Sequence, residues 1–72
     1  SLYLRVNNIE DKDLLKEIKK VINQYPGNTY IYYFDSKSKK VFAPQKIEAV
    51  ELCEELLEEL ADIIGEDNIK IK

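Results

Sequence analysis

Apolar and other residues alternate over Leu2-Tyr3-Leu4-Arg5-Val6, which predicts a strand buried on one face. Leu2, Leu4 and Val6 take the core side, and Tyr3 and Arg5 the opposite side. Asn7 and Asn8 end the strand, since asparagine favours turns. The period then changes. Over residues 11–25, Leu14, Leu15, Ile18, Val21, Ile22 and Tyr25 recur at helical spacing, with Lys12, Lys16, Lys19 and Lys20 mainly off that stripe. Asp11 is placed as N-cap, and Asp13 sits near the positive helix end. Pro26-Gly27-Asn28 is expected to stop the helix and turn the chain.

Thr29-Tyr30-Ile31-Tyr32-Tyr33-Phe34 is β-branched or aromatic throughout and predicts a strand with apolar residues on both faces. Asp35-Ser36-Lys37-Ser38 reads as a turn, and Lys39 to Ala43 as the returning strand of a hairpin, ended by Pro44. Ile47-Glu48-Ala49-Val50 fits either a short edge strand or the first turn of the next helix. From about Glu51, an apolar stripe of Leu52, Cys53, Leu56, Leu57, Leu60, Ile63 and Ile64 predicts a helix that Gly65 terminates. Asn68-Ile69-Lys70-Ile71-Lys72 alternates again and closes the chain as a strand.

The order strand, helix, strand, strand, helix, strand predicts an α+β fold. It is a two-layer βαββαβ sandwich with two helices on one face of a mixed sheet of four or five strands, and a ferredoxin-like strand order is expected. The covered sheet face would hold Leu2, Leu4, Val6, Ile31, Tyr33, Val41, Ile69 and Ile71. The open face would then carry Tyr3, Arg5, Tyr30, Tyr32, Phe34, Lys40, Phe42, Lys70 and Lys72. Six of these, Tyr3, Arg5, Tyr30, Tyr32, Phe34 and Phe42, are the candidate binding residues. Aromatic and basic groups on an open sheet suit a protein interface, where Tyr, Phe and Arg are enriched. They also suit base stacking and phosphate pairing. A third reading is that the rings stack across strands and shield the backbone without any ligand.

Composition narrows the chemistry. The 72 residues include no histidine and one cysteine, Cys53. A Ser-His-Asp triad, a Cys-His dyad, a Cys/His zinc site and an internal disulfide are thereby excluded. No phosphate-cradling glycine motif occurs, and no catalytic or metal site is expected. No apolar run approaches the ~18 residues of a membrane-spanning helix, so no membrane association is expected. The chain also lacks methionine, which suggests a piece of a longer protein forming a single domain over residues 1–72. The net charge of −3 is unevenly spread. Residues 1–46 hold nine Lys/Arg against five Asp/Glu, a net of +4, and residues 47–72 hold two against nine, a net of −7. That split fits either a dipolar surface with two partners or the solvated faces of a basic and an acidic helix. The overall acidity argues against nucleic acid as the main ligand.

The order and spacing of these segments resemble the C-terminal domain of the alpha subunit of bacterial DNA polymerase III. The resemblance runs along nearly the whole chain. It is carried by Leu2-Tyr3-Leu4-Arg5-Val6, the Leu-rich first helix, Tyr25-Pro26-Gly27-Asn28-Thr29, the strand from Ile31 to Phe34 and the Lys-rich hairpin. The ending, Glu55-Leu56-Leu57 through Leu60 and Ile63-Ile64-Gly65-Glu66-Asp67-Asn68-Ile69-Lys70-Ile71, is its most distinctive part. Glu48-Ala49-Val50-Glu51-Leu52-Cys53 departs from the family, which often has a polar or Pro-containing cap there. The resemblance implies a non-catalytic cytoplasmic domain that tethers the polymerase to the tau subunit of the clamp loader and neighbours an OB-fold. Direct DNA contact would be weak. Magnesium, deoxynucleotides and the catalytic aspartates would belong to the distant polymerase core of the parent chain, leaving this domain without a cofactor.

Overall fold

A computed structural model describes residues 1–43 and 49–72. Strand β1 spans Leu2–Val6, helix α1 Lys12–Gln24, β2 Pro26–Asp35, β3 Lys40–Phe42 and β4 Ala49–Val50. Helix α2 spans Glu54–Ile64, a single 3₁₀ turn Glu66–Asn68, and β5 Ile69–Ile71. The expected class is observed: an α+β sandwich of two helices against a five-stranded mixed sheet. The reading of Pro44 and of Ile47-Glu48 lies outside the described residues.

The sheet order is β3-β2-β1-β5, with β4 also bonded to β2. Here the ferredoxin-like expectation is corrected in its strand order. That arrangement splits the two parallel strands of a βαβ unit. In this chain β1 and β2 are direct parallel neighbours, pairing Leu2 with Ile31, Leu4 with Tyr33 and Val6 with Asp35. β5 runs antiparallel along the other edge of β1, and β3 and β4 run antiparallel to successive stretches of β2.

The core is the layer between sheet and helices. Leu2, Leu4, Ile18, Ile31, Val50, Leu56 and Leu60 are all essentially inaccessible, joined by Val6, Val21, Ile22 and Tyr33. All but Val50, which β4 supplies, follow from their period along β1, β2 and the two helices. Asp11 caps α1 as expected, its carboxylate accepting from the Leu14 N–H at 3.2 Å. Gly65 ends α2 at φ +90°, a conformation that a side chain would strain.

Two boundaries differ from expectation. Pro26-Gly27-Asn28 does not turn the chain away; β2 begins at Pro26, with an irregularity between Pro26 and Thr29 that lets Val50 pair with both. Gly27 is needed there because a Cβ would stand 2.4 Å from the Glu51 backbone nitrogen. The Glu51 N–H donates to the Tyr25 carbonyl at 2.8 Å, which holds the chain extended past Val50. Helix α2 therefore starts only at Glu54. Leu52 is exposed and Cys53 is the N-cap, its carbonyl accepting the first helical bond from the Leu57 N–H. Leu52 and Cys53 thus leave the predicted helical stripe.

One polar contact fastens α1 to α2. The Tyr25 hydroxyl donates to the Glu59 carboxylate. Bonding to that carboxylate, with lesser contributions from burial and nearby negative charge, pushes the phenol up from 10.0 to about 12. The proton is held more tightly in the folded state, so the contact stabilises fully below the unfolded pKa and is lost as pH rises through about 12. Tyr25→Phe should remove the part of the alkaline destabilisation lying between those values, read from denaturation midpoints across pH. An unchanged alkaline profile would show that the pair is not formed in solution.

Leu60→Ala should cost about 2–5 kcal/mol, as for other large-to-small core changes. In a domain whose core supplies roughly 3–5 kcal/mol, that loss leaves the chain largely unfolded at room temperature. Urea denaturation followed by circular dichroism measures it, and a shift below about 1 kcal/mol would contradict the burial of that helix face.

Candidate functional site

The helices cover one side of the sheet, and among the described residues the other side is open. Parity along β1 and β2 sends Tyr3, Arg5, Tyr30, Tyr32 and Phe34 to the open side. The parallel register then brings them together, because Tyr3 pairs with Tyr32 and Arg5 with Phe34. The Tyr3 and Tyr32 rings stack with centroids 5.3 Å apart and planes inclined by 24°. β5 places Lys70 beside Tyr3, and the Lys72 Nζ stands over the Tyr3 ring, 5.5 Å from its centroid. An offset stack contributes about 0.5–1.5 kcal/mol beyond area burial, and an exposed cation over a ring about 0.5–1 kcal/mol.

Arg5 is oriented by the end of α2. Its Nε donates to the Asn68 Oδ1 at 2.7 Å, while the Asn68 amide nitrogen donates to the Ile64 carbonyl. The guanidinium is thereby anchored at one nitrogen, and its terminal NH2 groups remain as donors for a carboxylate or phosphate. Tyr3, Arg5, Phe34, Asn68, Lys70 and Lys72 line a shallow concavity of about 490 Å³, with Asp67 and Val41 at its margin. Three cations, one carboxylate and two aromatic rings thus line the concavity.

The structure corrects the third strand. Asp35 pairs with Lys40, Phe34 with Val41, and Tyr33 with Phe42. Lys40 and Phe42 therefore share the helix-side face, and Val41 joins the open face, the reverse of the sequence expectation. Phe42 lies near Asn8, Ile9 and Asp35 at the end of the helix layer, 37% exposed, while Val41 is 55% exposed. The cause is the turn. Asp35 is buried, and its carboxylate accepts from the Lys37 N–H at 3.1 Å and the Ser38 hydroxyl at 2.9 Å. Its carbonyl takes the Lys39 N–H at 2.7 Å, and Lys39 adopts φ +58°. The loop contains four residues, Ser36 to Lys39; placing Val41 on the face of Tyr33 would need a loop of odd length, because a shift of one position turns every side chain to the other face.

Of the six candidate residues, Tyr3, Arg5, Tyr32 and Phe34 form one contiguous patch. Tyr30 lies further along β2 on the same face, beside Ala49, and is 52% exposed. Phe42 is outside it. Val41 and Asn68 are the additions that sequence reasoning missed. The alternation reads Asn68 as the first residue of the last strand; it lies instead in the 3₁₀ turn before β5, and its contact with a residue 63 positions away leaves no mark in the pattern.

Among the described residues, no group of three or more His, Cys, Asp or Glu is placed to hold a metal ion. No helix there is long and apolar enough to cross a membrane. No protein-family model, curated protein or solved structure matches the chain.

Proposed function

We propose that this chain is a non-catalytic interaction domain that docks on a protein partner through its open sheet face. The observation that carries this reading is the stacked Tyr3–Tyr32 pair, continued by Phe34 and bordered by Arg5, Lys70 and Lys72 on a face that no helix covers among the described residues. Rigid aromatic side chains lose little conformational entropy on binding, and Tyr and Arg are the residues most often found as interface anchors. An apolar floor with a cationic border fits a partner that presents an apolar side chain flanked by carboxylates.

The resemblance described above supplies the proposed setting. In that setting the domain is the C-terminal domain of a bacterial DNA polymerase III alpha subunit, working in the cytoplasm in DNA replication. It tethers the polymerase to the tau subunit of the clamp loader or packs on the neighbouring OB-fold of the same chain. Catalysis by the parent polymerase would reside elsewhere in that chain. The second reading is a small nucleic-acid-binding domain, favoured by the same ring stack with a cation on it, since bases stack on such platforms and phosphates pair with Lys and Arg.

Titration of the domain with the tau C-terminal region, with the OB-fold, and separately with single-stranded DNA distinguishes these readings. The Tyr30→Ser, Tyr32→Ser double variant should weaken protein association by more than about 1 kcal/mol while the domain stays folded. Val41→Ser should weaken it too, whereas Phe42→Ser should not. Tight, weakly salt-dependent protein binding is expected; a steep loss with salt and a preference for DNA would favour the nucleic-acid reading. No binding to any of the three, or equal effects of Val41→Ser and Phe42→Ser, would overturn the proposal.

A further inference from the structure

A second surface lies at the far side of the sheet, where β5 is the terminal strand. Its main-chain pattern follows from one pair of contacts. The Lys72 N–H donates to the Ser1 carbonyl at 2.9 Å, and the Ser1 amino group donates to the Lys72 carbonyl. Residues opposite each other in an antiparallel ladder alternate between bonded and non-bonded pairs. With Ser1 and Lys72 bonded, Tyr3 and Lys70 form the next bonded pair, and Leu2–Ile71 and Leu4–Ile69 are non-bonded pairs. The peptide groups of Ile69 and Ile71 therefore face away from β1. The Ile69 N–H is taken by the Glu66 carbonyl. That leaves the Ile69 carbonyl and both main-chain groups of Ile71 along the outer edge, where no strand pairs among the described residues.

The edge has an apolar floor beside it. Ile71 points to the helix side, as the sequence pattern implied, yet it is 56% exposed because the helices do not reach over it. With Ile69, Leu57 and Ala61 it lines a groove of about 360 Å³ whose border carries Glu58 and Glu66. On the opposite side of the same edge stands Lys70, followed by Lys72.

We propose that this edge accepts an extended peptide segment as an added strand. Apolar residues of the segment would enter the groove over Ile71, Leu57 and Ala61. The alternate residues would be Asp or Glu, facing Lys70 and Lys72, and a Lys or Arg at the next groove-side position would meet Glu58 and Glu66. Main-chain bonds supply affinity in such strand addition, and alternate side chains supply selectivity. Charge decides against a second copy of this chain as occupant. A two-fold antiparallel pairing of β5 with itself sets Lys70 against Lys70 or against Lys72, and like charges directly opposite destabilise a strand pair. Lys70 and Lys72 border both this edge and the aromatic face, but the groove and the outward main-chain groups do not involve the stacked rings, so variants at Ala61 and Ile71 test this proposal apart from the proposed function.

The test is a titration of the isotope-labelled 72-residue chain with the capped peptide Lys-Glu-Val-Glu-Val-Glu, followed by amide chemical shifts and hydrogen exchange. Saturable binding is expected, with shifts at Leu57, Ala61, Ile69 and Ile71 and slowed exchange of the Ile71 amide. A peptide with Lys in place of each Glu should bind about tenfold more weakly. Ile71→Pro removes the outward N–H without removing a bond to β1, a position where an edge strand tolerates proline, and should abolish binding, while Ile71→Val retains it. Ala61→Glu, which fills the groove from the helix, gives the same loss without touching the strand. The proposal is overturned by an absence of saturable binding, by shifts confined to Tyr3, Tyr32 and Phe34, or by undiminished binding to Ala61→Glu. Self-association that protects the Ile71 amide without peptide would overturn it in favour of a second copy.

Discussion

The parallel pairing of β1 with β2 is the contact on which the other features of this domain depend. It sets Leu2 beside Ile31 and Leu4 beside Tyr33 under the two helices. The same register sets Tyr3 beside Tyr32 and Arg5 beside Phe34 on the other side. Burial of the first set drives the pairing, because a slip by one residue would send Leu2, Leu4 and Val6 to solvent. The aromatic patch is thus aligned by the core beneath it. Helix α1 makes the parallel arrangement possible, since parallel neighbours need a long crossover between them.

Two polar anchors trim this frame. Asp35 is a buried carboxylate at the end of β2, and its bonds to the Lys37 N–H and Ser38 hydroxyl fix the length of the hairpin loop. Loop length in turn decides that Val41, and not Phe42, meets the open face. Asn68 performs the corresponding task at the other end, joining the last turn of α2 to Arg5. Loss of the Asp35 bonds would leave a buried carboxylate poorly satisfied, whereas the Arg5–Asn68 bond is solvent-exposed and serves to orient the guanidinium. Both anchors stabilise positions more than they add bulk stability.

Charge is unevenly placed on the two sides of β5. Glu58 of α2 and Glu66 of the 3₁₀ turn lie on the groove side of β5, while Lys70 and Lys72 lie on the aromatic side with Arg5. A single short strand therefore separates a surface bordered by cations from one bordered by carboxylates.

Much of the fold was legible in the chain. The periods of two and of 3.6 residues located β1, α1, the body of β2, the later turns of α2, and β5, because burial of one face imposes those periods wherever an element packs. They also identified Tyr3, Arg5, Tyr32 and Phe34 as one outward set. Tertiary structure decided what periodicity does not encode. Strand order places β1 directly beside β2, a choice among pairings that all satisfy the same alternation. The close approach of Gly27 to Glu51 delays α2 to Glu54, since a long-range backbone bond overrides a locally helical pattern. The bonds of Asp35 turn Phe42 inward and Val41 outward, as three residues are too few to signal their own phase. Asn68 reached Arg5 only through the folded chain, because a contact between distant positions leaves no local trace.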